Sequence, residues 1–251
     1  MTSRDAWAWL AIALLGFVGG QVVSLILLLA SAAATGNLSR LTDLTKQRIP
    51  PSWVVISGLV GLWIGFVGAA VSASRLRGTG DLRRDFGLEF RPRDIVLGPV
   101  IGLAGQLLLL RLLYLPLEHV VPHLNDKLSQ PAKHITGGFP GADLAVIAVL
   151  TVVIVPVVEE LFFRGLLLRA LVRIFGRAGG AVGPSLAVVT SGILFGLAHF
   201  ELLQLLGLSA FGVVLSVMAY KFRRLGPSIF AHATFNLLAI LSVAFPTGLL
   251  H

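Results

Sequence analysis

Two adjacent glutamates, Glu159 and Glu160, lie within the apolar run from Val152 to Leu168, and Arg164 follows them in the same run. An ionisable group inside a membrane span costs several kcal/mol unless it is paired or faces water, so by default it marks function. Residues four apart share a helix face, and Glu160 and Arg164 can therefore form an ion pair with the glutamate N-terminal. Adjacent residues are turned by about 100°. Glu159 thus points away from Arg164 and is left as the working carboxylate. Pro156, just upstream, removes one helical hydrogen bond and can kink the chain or open space there.

Two further segments carry imidazoles. In Phe195-Gly196-Leu197-Ala198-His199 the ring of Phe195 is four residues from His199 and can wall a site beside it. In His232-Ala233-Thr234-Phe235-Asn236 an imidazole and a carboxamide share one face, one turn apart, and can donate to a single oxygen as an oxyanion hole does. Each segment alone has a plain structural reading: an interhelical clamp, a histidine at a helix end, a chance spacing. Together they use up the carboxylates and histidines that apolar sequence flanks, because His119, His123 and His134 fall in one loop. Arg111 is read as a snorkelling residue or the partner of another helix.

The elements that must position these groups are membrane helices. The 251 residues are 56% hydrophobic and only 13% charged. A soluble domain carries about 25% charged residues. The chain reads as an all-α, polytopic membrane helical bundle of about seven transmembrane helices (seven or eight), in one membrane domain. Predicted spans run over Trp7–Ala34, Trp53–Ser74, Ile95–Leu117, Ala142–Phe163, Gly183–Phe200, Leu202–Tyr220 and Ser228–Leu249. Residues 1–141 then hold the first three helices, and 142–251 the part with the motifs. The break at Phe200–Leu202 is short enough for one neighbouring span to be partial or re-entrant. Arg75–Asp94 reads as a surface loop and Leu117–Gly141 as the longest outside connection. Spacings Gly16/Gly20, Gly61/Gly65 and Gly98/Gly102 read as close helix packing.

With the N-terminus inside, 13 Lys and Arg fall in inside segments and 5 in outside ones. This favours a cytoplasmic N-terminus and places the site in the cytoplasmic half, although His199 then stands toward the outer side. The net charge of +8 is assigned to basic loops facing anionic lipid rather than to nucleic acid. There are no cysteines, hence no disulfides and no Cys metal sites. The excess of Arg over Lys, 16 to 4, hints at a GC-rich bacterial genome and so at a bacterial cell membrane.

The order Glu-Glu-x-x-x-Arg, Phe-x-x-x-His, His-x-x-x-Asn, each on an apolar helix, resembles the CPBP family of intramembrane proteases. These are the type II CAAX prenyl endopeptidases and bacteriocin-processing or immunity proteins, also called the Abi family. The resemblance covers roughly residues 142–245. It implies peptide-bond hydrolysis within the membrane. Glu159 and His199 would activate water, Glu160 and Arg164 would hold the first motif, and His232 and Asn236 would stabilise the oxyanion. Either no cofactor or a divalent metal fits that family. A His-Glu-x-x-His zinc motif is absent. A zinc held by Glu159 (or Glu160), His199 and His232 stays open, and would leave only Asn236 for the oxyanion; the reading leans to a metal-free Glu/His dyad. Expected partners are lipid and a peptide or membrane-anchored protein. The competing readings are a non-catalytic immunity or scaffold protein and a proton-coupled transporter. The transporter is disfavoured by the single polar cluster and the lack of evident repeats.

Overall fold

The computed structural model describes residues 3–47, 50–136 and 142–244. The end of the last predicted span, residues 245–249, lies outside the described residues, as do Arg48 and Gly141. The main helices are α1 (Ser3–Ala34), α2 (Ser52–Arg77), α3 (Asp94–Glu118), α4 (Leu124–Thr136), α5 (Asp143–Phe175), α6 (Val182–Leu197), α7 (Leu205–Phe222) and α8 (Gly226–Ala244). No strand occurs among the described residues. Six of these helices are long and apolar enough to cross a membrane, and α6 is apolar but shorter. At 1.5 Å per residue α6 reaches only about 24 Å, less than the roughly 30 Å hydrocarbon layer. The predicted fifth span is therefore the partial one. Leu15, Val18, Leu25, Val96, Leu112 and Val149 are exposed. In a chain this apolar they form the surface that lipid covers.

Both predicted loops contain structure. A short helix, Leu82–Phe86, interrupts Arg75–Asp94, and its Phe86 is fully buried against Trp9 with ring centroids 5.1 Å apart. The predicted connection Leu117–Gly141 contains α4, tied to the α6–α7 turn by Gln204 Nε2 donating to the Leu128 carbonyl at 2.7 Å.

Helices α1 and α2 meet through their glycines. A Cβ on Gly65 would collide with the backbone of Gly16 and Gly20, and one on Gly61 with the backbone of Ser24. The close approach lets Ser24 Oγ donate to the Gly58 carbonyl at 2.8 Å. Gly98 and Gly102 of α3 meet Phe230 and Ala231 of α8 in the same way. Gly65→Val should therefore separate α1 from α2, costing about 1–3 kcal/mol or more by overpacking. Thermal unfolding in detergent reads it, with Gly58→Ala, whose Cβ meets nothing within 4 Å, melting as wild type.

The first helices are not a separate module. Phe66 of α2 stacks on Phe162 of α5 at 4.0 Å, and Trp9 and Ala13 of α1 join the same buried cluster. They form the wall behind the helix that carries the glutamates.

A second buried ion pair closes the end of the bundle where the basic loops lie. Asp94 and Arg224, 0% and 2% exposed, bond directly. The sequence reading placed Asp94 in a surface loop and Arg224 among the basic residues of an inside segment. The connection Leu225–Gly226 is held by its N–H groups to the carbonyls of Gly87 (2.8 Å) and Glu89 (3.2 Å). Asp94→Ala strands a buried guanidinium and should destabilise the fold by about 3–5 kcal/mol. A melt indistinguishable from wild type would show that Arg224 finds another partner.

Candidate active site

A cavity of about 600 Å³ lies between α2, α3, α5, α6, α7 and α8, with α4 along its rim. Glu159, His199, His232 and Asn236 all line it. Glu160 and Arg164 stand behind this wall.

The local backbone of α5 explains how the glutamates come to face the cavity. Two π-helical stretches, Leu150–Ile154 and Leu161–Leu167, bracket the turn Val155–Glu160. Such wide turns use i→i+5 bonds and cluster at functional sites. In the first, the Thr151 carbonyl would need an N–H from position 156, which is proline and has none. Asn236 Nδ2 supplies the missing donor at 3.0 Å. In the second, the Phe163 carbonyl accepts from Ser191 Oγ (3.3 Å), itself linked to Ser216.

Glu160 and Arg164 form the expected pair, Nη1 to Oε1 at 2.8 Å, with both side chains at 0% exposure. Arg164 Nη2 donates to the Gly212 carbonyl at 2.9 Å, and its guanidinium lies 4.3 Å over the Phe195 ring. Gly212 packs against Gly192, a contact without room for a Cβ, and this brings α7 close enough to α6 to offer that carbonyl.

His232 is the imidazole between the two glutamates. Its Nδ1 is 3.2 Å from Glu160 Oε1, and its Nε2 is 3.8 Å from Glu159 Oε2. The carboxylate can only accept, so Nδ1 carries the proton. Glu159 Oε2 is buried and has no hydrogen-bond partner. His199 lies at the C-terminal end of α6, where its Nδ1 meets the Phe195 carbonyl at 2.8 Å. A carbonyl too can only accept, so in neutral His199 the free lone pair sits on Nε2. Phe195 separates the imidazoles, its ring 4.8 Å from that of His199 and 5.5 Å from that of His232, both edge-on.

The family resemblance pairs Glu159 with His199. Within 4 Å of the Glu159 carboxylate stands His232, and one Asn236 hydrogen is already given to Thr151. Depth also differs from the sequence reading. Glu159 lies midway along α5, and His199 reaches the same cavity because α6 ends short of a full crossing. Among the described residues no group of three His, Cys, Asp or Glu side chains is arranged to hold a metal ion. Arg111 lines the cavity mouth.

Several polar residues of the site had no motif to announce them. Gln106 and Thr151 line the cavity, each with a buried oxygen that lacks a partner, Oε1 and Oγ1. Tyr114 pins α3 to the α6–α7 turn, donating to the Leu203 carbonyl at 2.9 Å and accepting from Gly207 N–H at 3.0 Å. Their only signal was a polar side chain within an apolar run.

Residues 141–238 match the family model described as type II CAAX prenyl endopeptidase Rce1-like, the family to which the three motifs point. The matched segment contains Glu159, Glu160, Arg164, His199, His232 and Asn236. No curated protein and no solved structure shows a significant match to the chain.

Proposed function

We propose that this chain, a multi-pass helical membrane protein whose residues 141–238 match the Rce1-like CAAX endopeptidases, hydrolyses a peptide bond with water activated in its intramembrane cavity. One observation carries the reading. A carboxylate with one buried oxygen that lacks a hydrogen-bond partner, Glu159 Oε2, faces a cavity beside an imidazole that a second glutamate fixes in orientation. A carboxylate, an oriented imidazole and donors converging on one point are the parts that acyl-transfer chemistry needs.

In this mechanism Glu159 takes a proton from water, and the oxygen attacks the scissile carbonyl. His199 Nε2 accepts the second water hydrogen and aims the nucleophile. The tetrahedral oxyanion is held by His232 Nε2–H, when the ring is doubly protonated between its two carboxylates, and by the second Asn236 amide hydrogen. Glu159 then passes its proton to the leaving nitrogen as the C–N bond breaks. Glu160 and Arg164 touch no substrate; they set the position of His232.

The substrate is a peptide or a membrane-anchored protein segment. Purified protein reconstituted in lipid, incubated with a peptide library in ¹⁸O-water, should release fragments carrying ¹⁸O in the new C-terminal carboxyl. The absence of any cleavage across membrane-anchored and soluble peptides would sink the proposal.

A further inference from the structure

We infer that the proposed active site admits its substrate from the non-cytoplasmic side of the membrane. The inference rests on the peptidase reading for what enters, and on two independent features for the direction.

The first feature is the shape of the cavity. The cavity lies mostly in the half of the bundle remote from the basic loops and passes the middle of a helix only at Phe66, Phe163 and His232. It takes Leu59 and Leu62 from the first half of α2, Gln106 to Glu118 from the last half of α3, and the first turns of α7. Its rim carries exposed Glu118 and Asn125. Its floor is Glu159, Phe163 and His232. Beyond that floor the bundle is sealed by fully buried Phe86, Leu166 and Leu225 and by the Asp94–Arg224 pair.

The second feature is charge. The sealed end is flanked by Arg75–Arg93, Arg169–Arg177 and Lys221–Arg224, which with Arg4 hold 13 of the 20 Lys and Arg; among the described residues the rim side holds four, Arg40, Lys46, Lys127 and Lys133. Basic residues close to span ends stay in the cytoplasm. The two features together turn the mouth away from it. A cytoplasmic substrate would meet the closed end. The substrate is accordingly a peptide segment on the outer side, free or at the end of a membrane anchor.

The chain has no cysteine, so single substitutions report cleanly. Asn125→Cys at the rim and Thr151→Cys inside the cavity should react with a small, charged, membrane-impermeant thiol reagent on intact cells. Arg84→Cys, on the sealed face, should react only after permeabilisation. The reverse pattern overturns the inference, and so does labelling of Asn125→Cys without Thr151→Cys. Cleavage is scored separately, with an impermeant peptide on right-side-out and inverted vesicles. The expected result is cleavage by right-side-out vesicles only. The expected labelling with cleavage in neither vesicle removes the peptidase reading and leaves the direction of access standing. Cleavage by inverted vesicles alone overturns the direction and keeps the peptidase.

Discussion

Glu159→Gln should lower the cleavage rate about a thousandfold, within the range general acid–base groups contribute, while leaving the protein at least as stable as wild type. The substitution keeps the shape of the side chain and removes only its ability to take a proton. Stability should not fall, because the carboxylate earns little from its surroundings. Its Oε2 is buried without a hydrogen-bond partner and its nearest cation candidate, His232 Nε2, is 3.8 Å away. A buried polar atom without a partner costs free energy. Replacing a charge by a neutral amide there relieves part of that cost, the trade of stability for activity common at catalytic sites. Initial rates on a cleaved peptide and a thermal melt on the same preparation test both halves. A scaffold protein that uses its polar cluster to hold helices together behaves in the opposite way: no activity to lose, and a lower melting temperature. A proton-coupled transporter would lose uptake instead of cleavage.

What spacing along one helix determines was readable beforehand. The Glu160–Arg164 pair follows from a four-residue separation, the Phe195–His199 contact from another, and the glycine contacts of α1 with α2 from a third. Hydropathy located the spans because a bilayer demands one length of apolar chain. What depends on relations between helices was not readable. That His232 approaches Glu159, that α6 is short and that α5 widens on both sides of the glutamates leave no periodic mark. The Asp94–Arg224 pair joins residues 130 positions apart. The Thr151 carbonyl is released by a proline the sequence displayed openly, yet only the fold shows that Asn236 answers it. Helix α4 was hidden by its composition, since Pro131 and several polar residues read as loop.

Arg164→Ala should be the most damaging change to the fold. The side chain is 0% exposed and its guanidinium serves three partners at once: the Glu160 carboxylate, the Gly212 carbonyl and the Phe195 ring. Removing it leaves Glu160 as a buried charge with one imidazole for company. Breaking a buried pair in this way costs about 3–5 kcal/mol, which for a chain of this size lowers the melting temperature by about 10 °C. Arg164→Lys should recover only part of the loss, because an ammonium lacks the planar fork that reaches Glu160 and Gly212 together. The double variant Glu160→Leu with Arg164→Met distinguishes a clamp from a positioning role. Apolar side chains of similar volume often replace a buried pair at little cost, so the double variant should melt well above Arg164→Ala. Its activity should stay low, because His232 Nδ1 has lost the carboxylate that holds it 3.2 Å away. The pH–rate profile should change as well, since Glu160 fixes the orientation of the imidazole that faces Glu159. A double variant that regains stability and full activity with an unchanged profile would reduce Glu160 and Arg164 to an interhelical clamp, leaving Glu159, His199, His232 and Asn236 to do the chemistry unaided.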